Sequence, residues 1–171
     1  MEIIRSEKVR SIYMPSRLNK LVRKIPGVLF LVYFTYLVYR LFFFAYSEYF
    51  RFSVENLRFN LIPFKTIIAY ISWVSDDNID VWFFNLFGNV LAFMPMGFLL
   101  PLVFTKLKSA KALVITTFTT SSVLEGIQLI TKLGTADIDD VILNTLGGLL
   151  GYLLLMNGLR LVRKSVRLEE D

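Results

Sequence analysis

Neither cysteine nor histidine occurs anywhere in the 171 residues. Thiolate and imidazole metal sites, Cys–His and Ser–His nucleophile pairs, and structural disulfides all need one or the other, so this double absence excludes them. Any chemistry must use carboxylates, amides, hydroxyls, lysine or arginine. Charged residues are few, 19% against 55% hydrophobic, and the mean hydropathy of +0.57 lies above the level usual for soluble domains. Membrane is therefore the first class to test. The missing cysteine carries no information on compartment, because a bundle of membrane helices needs no disulfide.

What is present bears this out as a pattern of long apolar runs. The first, Ile25 to Tyr46, has the roughly 20 residues that cross about 30 Å of hydrocarbon. Arg40 lies near its far end, where a long side chain can reach the interface. Further runs cover Trp82 to Phe104, Ala110 to Thr131 and Ile138 to Leu159. Pro95 and Pro101 fall inside the second, where neighbouring membrane helices satisfy the freed carbonyls. The reading is an all-α integral membrane protein with four transmembrane helices. Between the first and second spans, "LIPFKTIIAYISWVS" is too short to cross and carries Lys65, so an interfacial or re-entrant helix is expected there, with Trp73 and Trp82 at headgroup depth.

The net charge of +5 raises the question of nucleic acid, but the distribution of cations answers it. Seven basic residues crowd the first 24 positions and most others flank apolar runs, so no nucleic-acid partner is expected. With both termini inside, fourteen Lys and Arg fall on the cytoplasmic side: Arg5 through Lys24, then Lys106, Lys108, Lys111, and Arg160, Arg163, Lys164, Arg167. The outer loops hold four, Arg51, Arg58, Lys65 and Lys132. This asymmetry predicts a multi-pass plasma-membrane protein with cytoplasmic termini. The N-terminal stretch reads as a tail, not a cleaved signal. The organisation is thus a basic tail over 1–24, a membrane domain over 25–159, and a charged tail over 160–171.

Polar residues inside apolar helices need a reason. Asn85 and Asn89 are spaced i,i+4 in the second helix, Glu125 and Gln128 i,i+3 in the third, and Asp137, Asp140 and Asn144 step by three and four in the fourth. Each set occupies one helical face. The topology puts all three in the outer half of the membrane. Glu125, about 10 Å from the end of its helix, is either a residue hydrogen-bonded into helix packing or part of a functional cluster; the other sets at similar depth favour the cluster. The aspartates also suit a helix N-terminus, with Asp137 as N-cap. Asp139 lies about 100° from Asp140 on an ideal helix and is expected to matter less. Gly147 and Gly151, at GxxxG spacing, predict close helix packing. Tyr33, Phe34, Tyr36 and Tyr39 read as lipid-facing or core.

The ordered set "RFNLIPF", "NLFGNVLAFMPMGFLLPL", "EGIQL" and "DIDDVILNTLGGLLGY" resembles the VanZ family of bacterial membrane proteins, over about 60–152. The matching positions are Asn60, Pro63, Phe64, Asn85, Gly88, Asn89, Pro95, Gly97, Glu125, Gln128, Asp137, Asp139, Asp140, Asn144 and Gly147. Family members often carry an arginine just before the acidic run. Here the nearest cation is Lys132, which lacks the fork for a bidentate clamp. The resemblance implies a bacterial envelope protein linked to teicoplanin-type glycopeptide resistance, and it implies no defined reaction.

Three functions follow, of which a small transporter or flippase subunit has few helices at four unless the protein oligomerises. One is a pocket of Asn60, Asn85, Asn89, Glu125, Gln128, Asp137, Asp140 and Asn144 that binds a lipid headgroup, a lipid-linked cell-wall precursor or the antibiotic. Another is an enzyme on a lipid-linked substrate with Glu125 and Asp140 as acid/base groups or metal ligands, where a hard divalent cation would suit an oxygen-only site. Gly88, Pro95, Gly97, Gly147 and Gly151 are assigned to packing. No metal ligand set, no cofactor and no oligomeric state is assigned from sequence.

Overall fold

The computed structural model describes residues 16–44, 59–73, 79–104, 106–131 and 136–168. Helix α1 runs Ser16–Tyr39 and continues as a wider π-turn over Arg40–Phe44. A two-residue strand β1, Phe59–Asn60, precedes the short helix α2, Lys65–Trp73. Helix α3 covers Ile79–Val103 and α4 Ala110–Thr131. Strand β2, Ala136–Asp137, leads directly into α5, Ile138–Leu168. Among the described residues four helices are long and apolar enough to cross a membrane: Lys24–Phe43, Phe83–Val103, Ala110–Thr131 and Ile138–Val166. The expected all-α four-span architecture is present. The helices overrun the expected spans at both termini: α1 starts inside the basic tail and α5 carries Arg160, Arg163 and Lys164 on its last turns.

Large apolar side chains point outward all round the bundle, Leu31 and Leu161 about two-thirds exposed among them. In water such a surface would drive aggregation; a bilayer covers it. Tyr36 and Tyr39 belong to this outer surface, whereas Tyr33 and Phe34 pack against the core.

The core is small and made by α1, α3, α4 and α5 together, through Leu37, Phe93, Met96, Leu100, Leu113, Leu124 and Tyr152. Two tyrosine hydroxyls tie it to backbone: Tyr33 donates to the Ala92 carbonyl at 2.7 Å and Tyr152 to that of Lys108 at 2.8 Å.

The most extensive helix–helix contact is α3 on α5, and glycine makes it. A Cβ on Gly147 would fall on the Val90 carbonyl, one on Gly151 on the Met94 carbonyl, and one on Gly97 on the Gly148 backbone. The GxxxG spacing of Gly147 and Gly151 thus meets two carbonyls also four residues apart. Between lipid tails there is no hydrophobic drive to bring helices together, so this close backbone packing is itself the attraction. Gly88 differs from these: the nearest group to a Cβ there is the Arg40 guanidinium, at 3.9 Å. Pro95 is exposed and lines a shallow cleft with Gly151 and Leu154.

A helix does form between the first and second spans. Its backbone is anchored by β1, which pairs in parallel with β2 in the register Phe59–Ala136 and Asn60–Asp137. This short pairing was not legible in the sequence. The side chains of Trp73 and Trp82, and Lys132, lie outside the described residues.

Candidate functional site

Helix α2 begins without a residue able to cap it. The residues before Lys65 are Leu61, Ile62, Pro63 and Phe64, whose side chains offer no acceptor to the free N–H groups of the first turn. Asp139, 75 residues further along the chain, supplies both. Its Oδ1 accepts the Phe64 N–H at 2.5 Å, and its Oδ2 accepts those of Thr66 at 2.7 Å and Ile67 at 3.1 Å. A carboxylate at a helix N-terminus is further favoured by the helix dipole. Phe64 itself has φ of 65°, a left-handed conformation uncommon for a bulky side chain. The bond to Asp139 helps hold it there.

Asp139 therefore corrects the expectation drawn from helical spacing. It is fully buried, whereas Asp140 is partly accessible. The 100° argument was right that the two point in different directions. It missed that the direction taken by Asp139 is occupied by α2.

Around this cap lies a small network. Asn60 Nδ2 donates to Thr66 Oγ1 at 2.9 Å and to Asp137 Oδ1 at 3.1 Å, while its Oδ1 accepts the Ile62 N–H. The Thr66 hydroxyl donates to Asp137 Oδ2, and the Asp139 N–H donates to Asp137 Oδ1 at 2.8 Å. The last bond is the N-cap expected of Asp137. Beneath, Glu125 Oε2 accepts the Asp137 N–H at 3.1 Å, and the Asn89 amide donates to Asp140. Asp140 is within electrostatic reach of Glu125, Asp137 and Asp139. Five of the eight expected pocket residues, Asn60, Asn89, Glu125, Asp137 and Asp140, thus meet at one end of the bundle.

The other three are placed differently. Asn85 is half-buried one turn nearer the start of α3 than Asn89. Gln128 is buried but turned toward α1, where its Nε2 donates to the Leu41 carbonyl in the π-turn at 3.1 Å. Asn144 lies one turn below Asp140 and donates to Ser121 Oγ at 2.8 Å. Its own Oδ1 and the Thr117 hydroxyl are buried without a hydrogen-bond partner among the described residues. Thr117, Ser121 and Glu125 step by four on α4, as do Asp140, Asn144 and Gly148 on α5. The polar surface therefore continues down the α4–α5 seam toward the middle of the bundle, where Leu113 ends it.

Tyr70 is a site residue that sequence reasoning missed. It shares a face of α2 with Thr66, four residues earlier. Burial, and then the charges of Asp140 and Asp137, raise its phenol above the ordinary 10.0. Once Thr66 was known to face the aspartates, i,i+4 spacing would have pointed to Tyr70. No local signal marks it among the eight tyrosines.

Chemically, this is a concentration of acceptors. Among the described residues no group of three acidic side chains is arranged to hold a metal ion. The oxygens of Asp137 and Asp139 are already engaged by N–H and O–H donors, which leaves Asp140 and Glu125 as the acids with capacity for an incoming group. Such a site favours hydroxyls and cationic groups over a bare anion.

A family model described as VanZ/LLP1 matches residues 30–162 of the chain. The chain belongs to the VanZ/LLP1 family. Comparison with curated proteins and with solved structures returned no match. The matched segment of this VanZ/LLP1 chain takes in most of the first and fourth spans, all of the second and third, the short helix and every residue of the polar cluster.

Proposed function

We propose that this VanZ-like membrane protein acts in the bacterial cell envelope by binding a polar headgroup, carried by a lipid, a lipid-linked cell-wall precursor or a glycopeptide, at an outward-facing cluster centred on Asp140 and Glu125. The implied physiological outcome is resistance to teicoplanin-type antibiotics. The observation that carries the reading is convergence. Four acids from α4 and from the start of α5, together with Asn60 and Asn89, collect at one end of an otherwise apolar bundle and are covered by α2. A carboxylate deep in a membrane costs at least about 2.5 kcal/mol. Helix packing alone would be served as well by the neutral Asn144–Ser121 pair one turn below. The charge asymmetry supports cytoplasmic termini and so turns the cluster outward.

The test is a comparison of teicoplanin resistance in a susceptible host expressing wild type, Asp140→Asn and Glu125→Gln at equal membrane levels. The sidedness is checked in the same strains by labelling cysteine variants at Asp77 and Ser109 with an impermeant maleimide. Both acid variants are expected to lose most of the protection, with only Asp77→Cys labelled on intact cells. Full protection by both would overturn the binding-site reading, and labelling at Ser109 alone would place the cluster on the wrong side.

A second reading, an enzyme acting on a lipid-linked substrate, is favoured by one observation. Asp140, Glu125 and the neutral phenol of Tyr70 lie within electrostatic reach of a common region, a constellation that could exchange protons with a bound group. Conversion of a lipid-linked substrate by the reconstituted protein, lost in Asp140→Asn, would favour it over binding alone.

A further inference from the structure

Helices α1 and α4 border one another without packing. Phe34, Val38 and Phe42 form an i,i+4,i+8 stripe on α1, and Thr119, Val123 and Ile127 form another on α4. Adjacent apolar stripes of this kind usually close onto each other. Here they stand apart, and with Thr120 and Leu124 they line a groove of about 570 Å³, a volume within the range of small-molecule sites. α1 takes its support from α3 instead.

The separation is built in. At its outer end the groove is bridged by Gln128, which reaches across to the Leu41 carbonyl. That carbonyl lies in the π-turn that widens the end of α1, a feature frequent at functional sites. A polar rung of fixed length holds the helices at a set distance. Groove wall and cluster adjoin on α4, where Leu124 of the wall directly precedes Glu125 of the cluster. The stripe from Phe34 to Phe42 extends about 12 Å along the axis, from the rung toward mid-membrane. Both walls belong to membrane-spanning helices, and Val123 is 55% exposed at this position. The medium facing the groove is therefore lipid hydrocarbon.

We propose that this groove seats one apolar chain of a membrane lipid, lying along the α1–α4 seam beside the polar cluster. The proposal rests on reading that cluster as a headgroup site and adds the apolar half of the ligand: an amphiphile with a long hydrocarbon or isoprenoid chain. The walls carry no charge. Their only polar atoms are two threonine hydroxyls, and Thr119 and Thr120 can return theirs to their own helix. A single chain is the occupant that matches an uncharged groove open to hydrocarbon at this depth.

The full chain is reconstituted in vesicles of phosphatidylcholine and phosphatidylglycerol doped with a phosphatidylglycerol bearing a diazirine in mid-chain. After irradiation, adducts are mapped by peptide mass spectrometry. They are expected to concentrate on the groove residues, and to fall about tenfold in Val123→Trp, as for a comparable loss of affinity. Thr119→Trp serves as a second blocking variant, and both positions are exposed enough to accept indole without disturbing the core. Leu153→Trp, on the outer surface of α5, is expected to leave the adducts unchanged. Adducts spread evenly over Leu31, Leu153 and Leu154, or unchanged in both blocking variants, would overturn the proposal. So would a stable dimer whose contact covers Val123. The headgroup reading is judged separately. Diffuse labelling with resistance still lost in Asp140→Asn would remove the groove alone. Focused labelling with resistance retained in Asp140→Asn would keep the groove and remove the headgroup site.

Discussion

Two parts of this bundle are closed by opposite means. Beyond the Asn89–Asp140 bond at its end, the α3–α5 seam is dry: glycines bring backbone onto backbone at Val90, Met94 and Gly148. The cap over the end that holds the cluster is polar: α2 is held by Asp139, Asp137 and Asn60 through side chain–backbone and side chain–side chain hydrogen bonds. The dry seam depends on shape alone. The polar cap depends on carboxylate charge, so it can be loosened, titrated or shared with a ligand. A membrane protein that must stay folded while exposing a reactive cluster has reason to separate the two.

The largest expected effect breaks the dry seam. Gly147→Leu should cost upward of about 3 kcal/mol, because the clash is with the Val90 backbone and no side chain can rotate away. A thermal melt in detergent checks it against Gly158→Leu, where nothing lies within 4 Å of a Cβ. Equal melting temperatures for the two variants would mean that α3 and α5 do not approach as described.

This seam is also what the sequence displays most openly. Apolar runs of spanning length and glycines four apart are local patterns, and each has one physical meaning in a bilayer. The polar cap is written differently. Asp139 reads from its own helix as one more acid in a favourable first turn. Its task is fixed by α2, whose lack of a local cap is visible only once a helix is placed at Lys65. The β1–β2 pairing, two residues from each segment, is too short to leave a period. Convergence of Asn89, Glu125 and Asp140 was legible because i,i+3 and i,i+4 spacing and helix ends fix depth. Gln128 has a spacing from Glu125 that suits the cluster, but its amide donates to a carbonyl in a π-turn that nothing in "RLFFF" announces.

The next effect breaks the cap and leaves the seam intact. Asp139→Asn keeps the size but replaces an acceptor oxygen with an NH₂ group aimed at a backbone N–H. Hydrogen bonds to a charged group are worth about 1.5–3 kcal/mol each, so α2 should come loose while the four spans stay folded. Hydrogen exchange is expected to rise in peptides covering 61–73 and to stay unchanged in 90–100. Asp140→Asn, which gives up a bond to the Asn89 side chain and none to α2, should leave 61–73 protected. Equal loosening in both would show that the acids act as one charged rim and not as a cap plus a site.

The smallest effect separates charge from shape at the cap itself. Tyr70 is half-buried within electrostatic reach of Asp140 and Asp137, and desolvation, followed by those two charges, raises its phenol above 10.0. A group whose proton is held more tightly in the docked state stabilises that state in full while the undocked phenol is still neutral, which means below pH 10. The contribution is lost as pH climbs through 10 toward the raised value, because the released phenol can then ionise and the docked one cannot. Protection of 61–73 should therefore fall above pH 10 in wild type, with the α3–α5 peptides unaffected over the same range. In Tyr70→Phe the added alkaline loss should disappear, although baseline protection at neutral pH will change little. Asp140→Asn removes the second of the three causes and should move the onset only part of the way back, since burial is the largest of them. An alkaline loss of the same size in Tyr70→Phe would assign it to some other group and take Tyr70 out of the cluster.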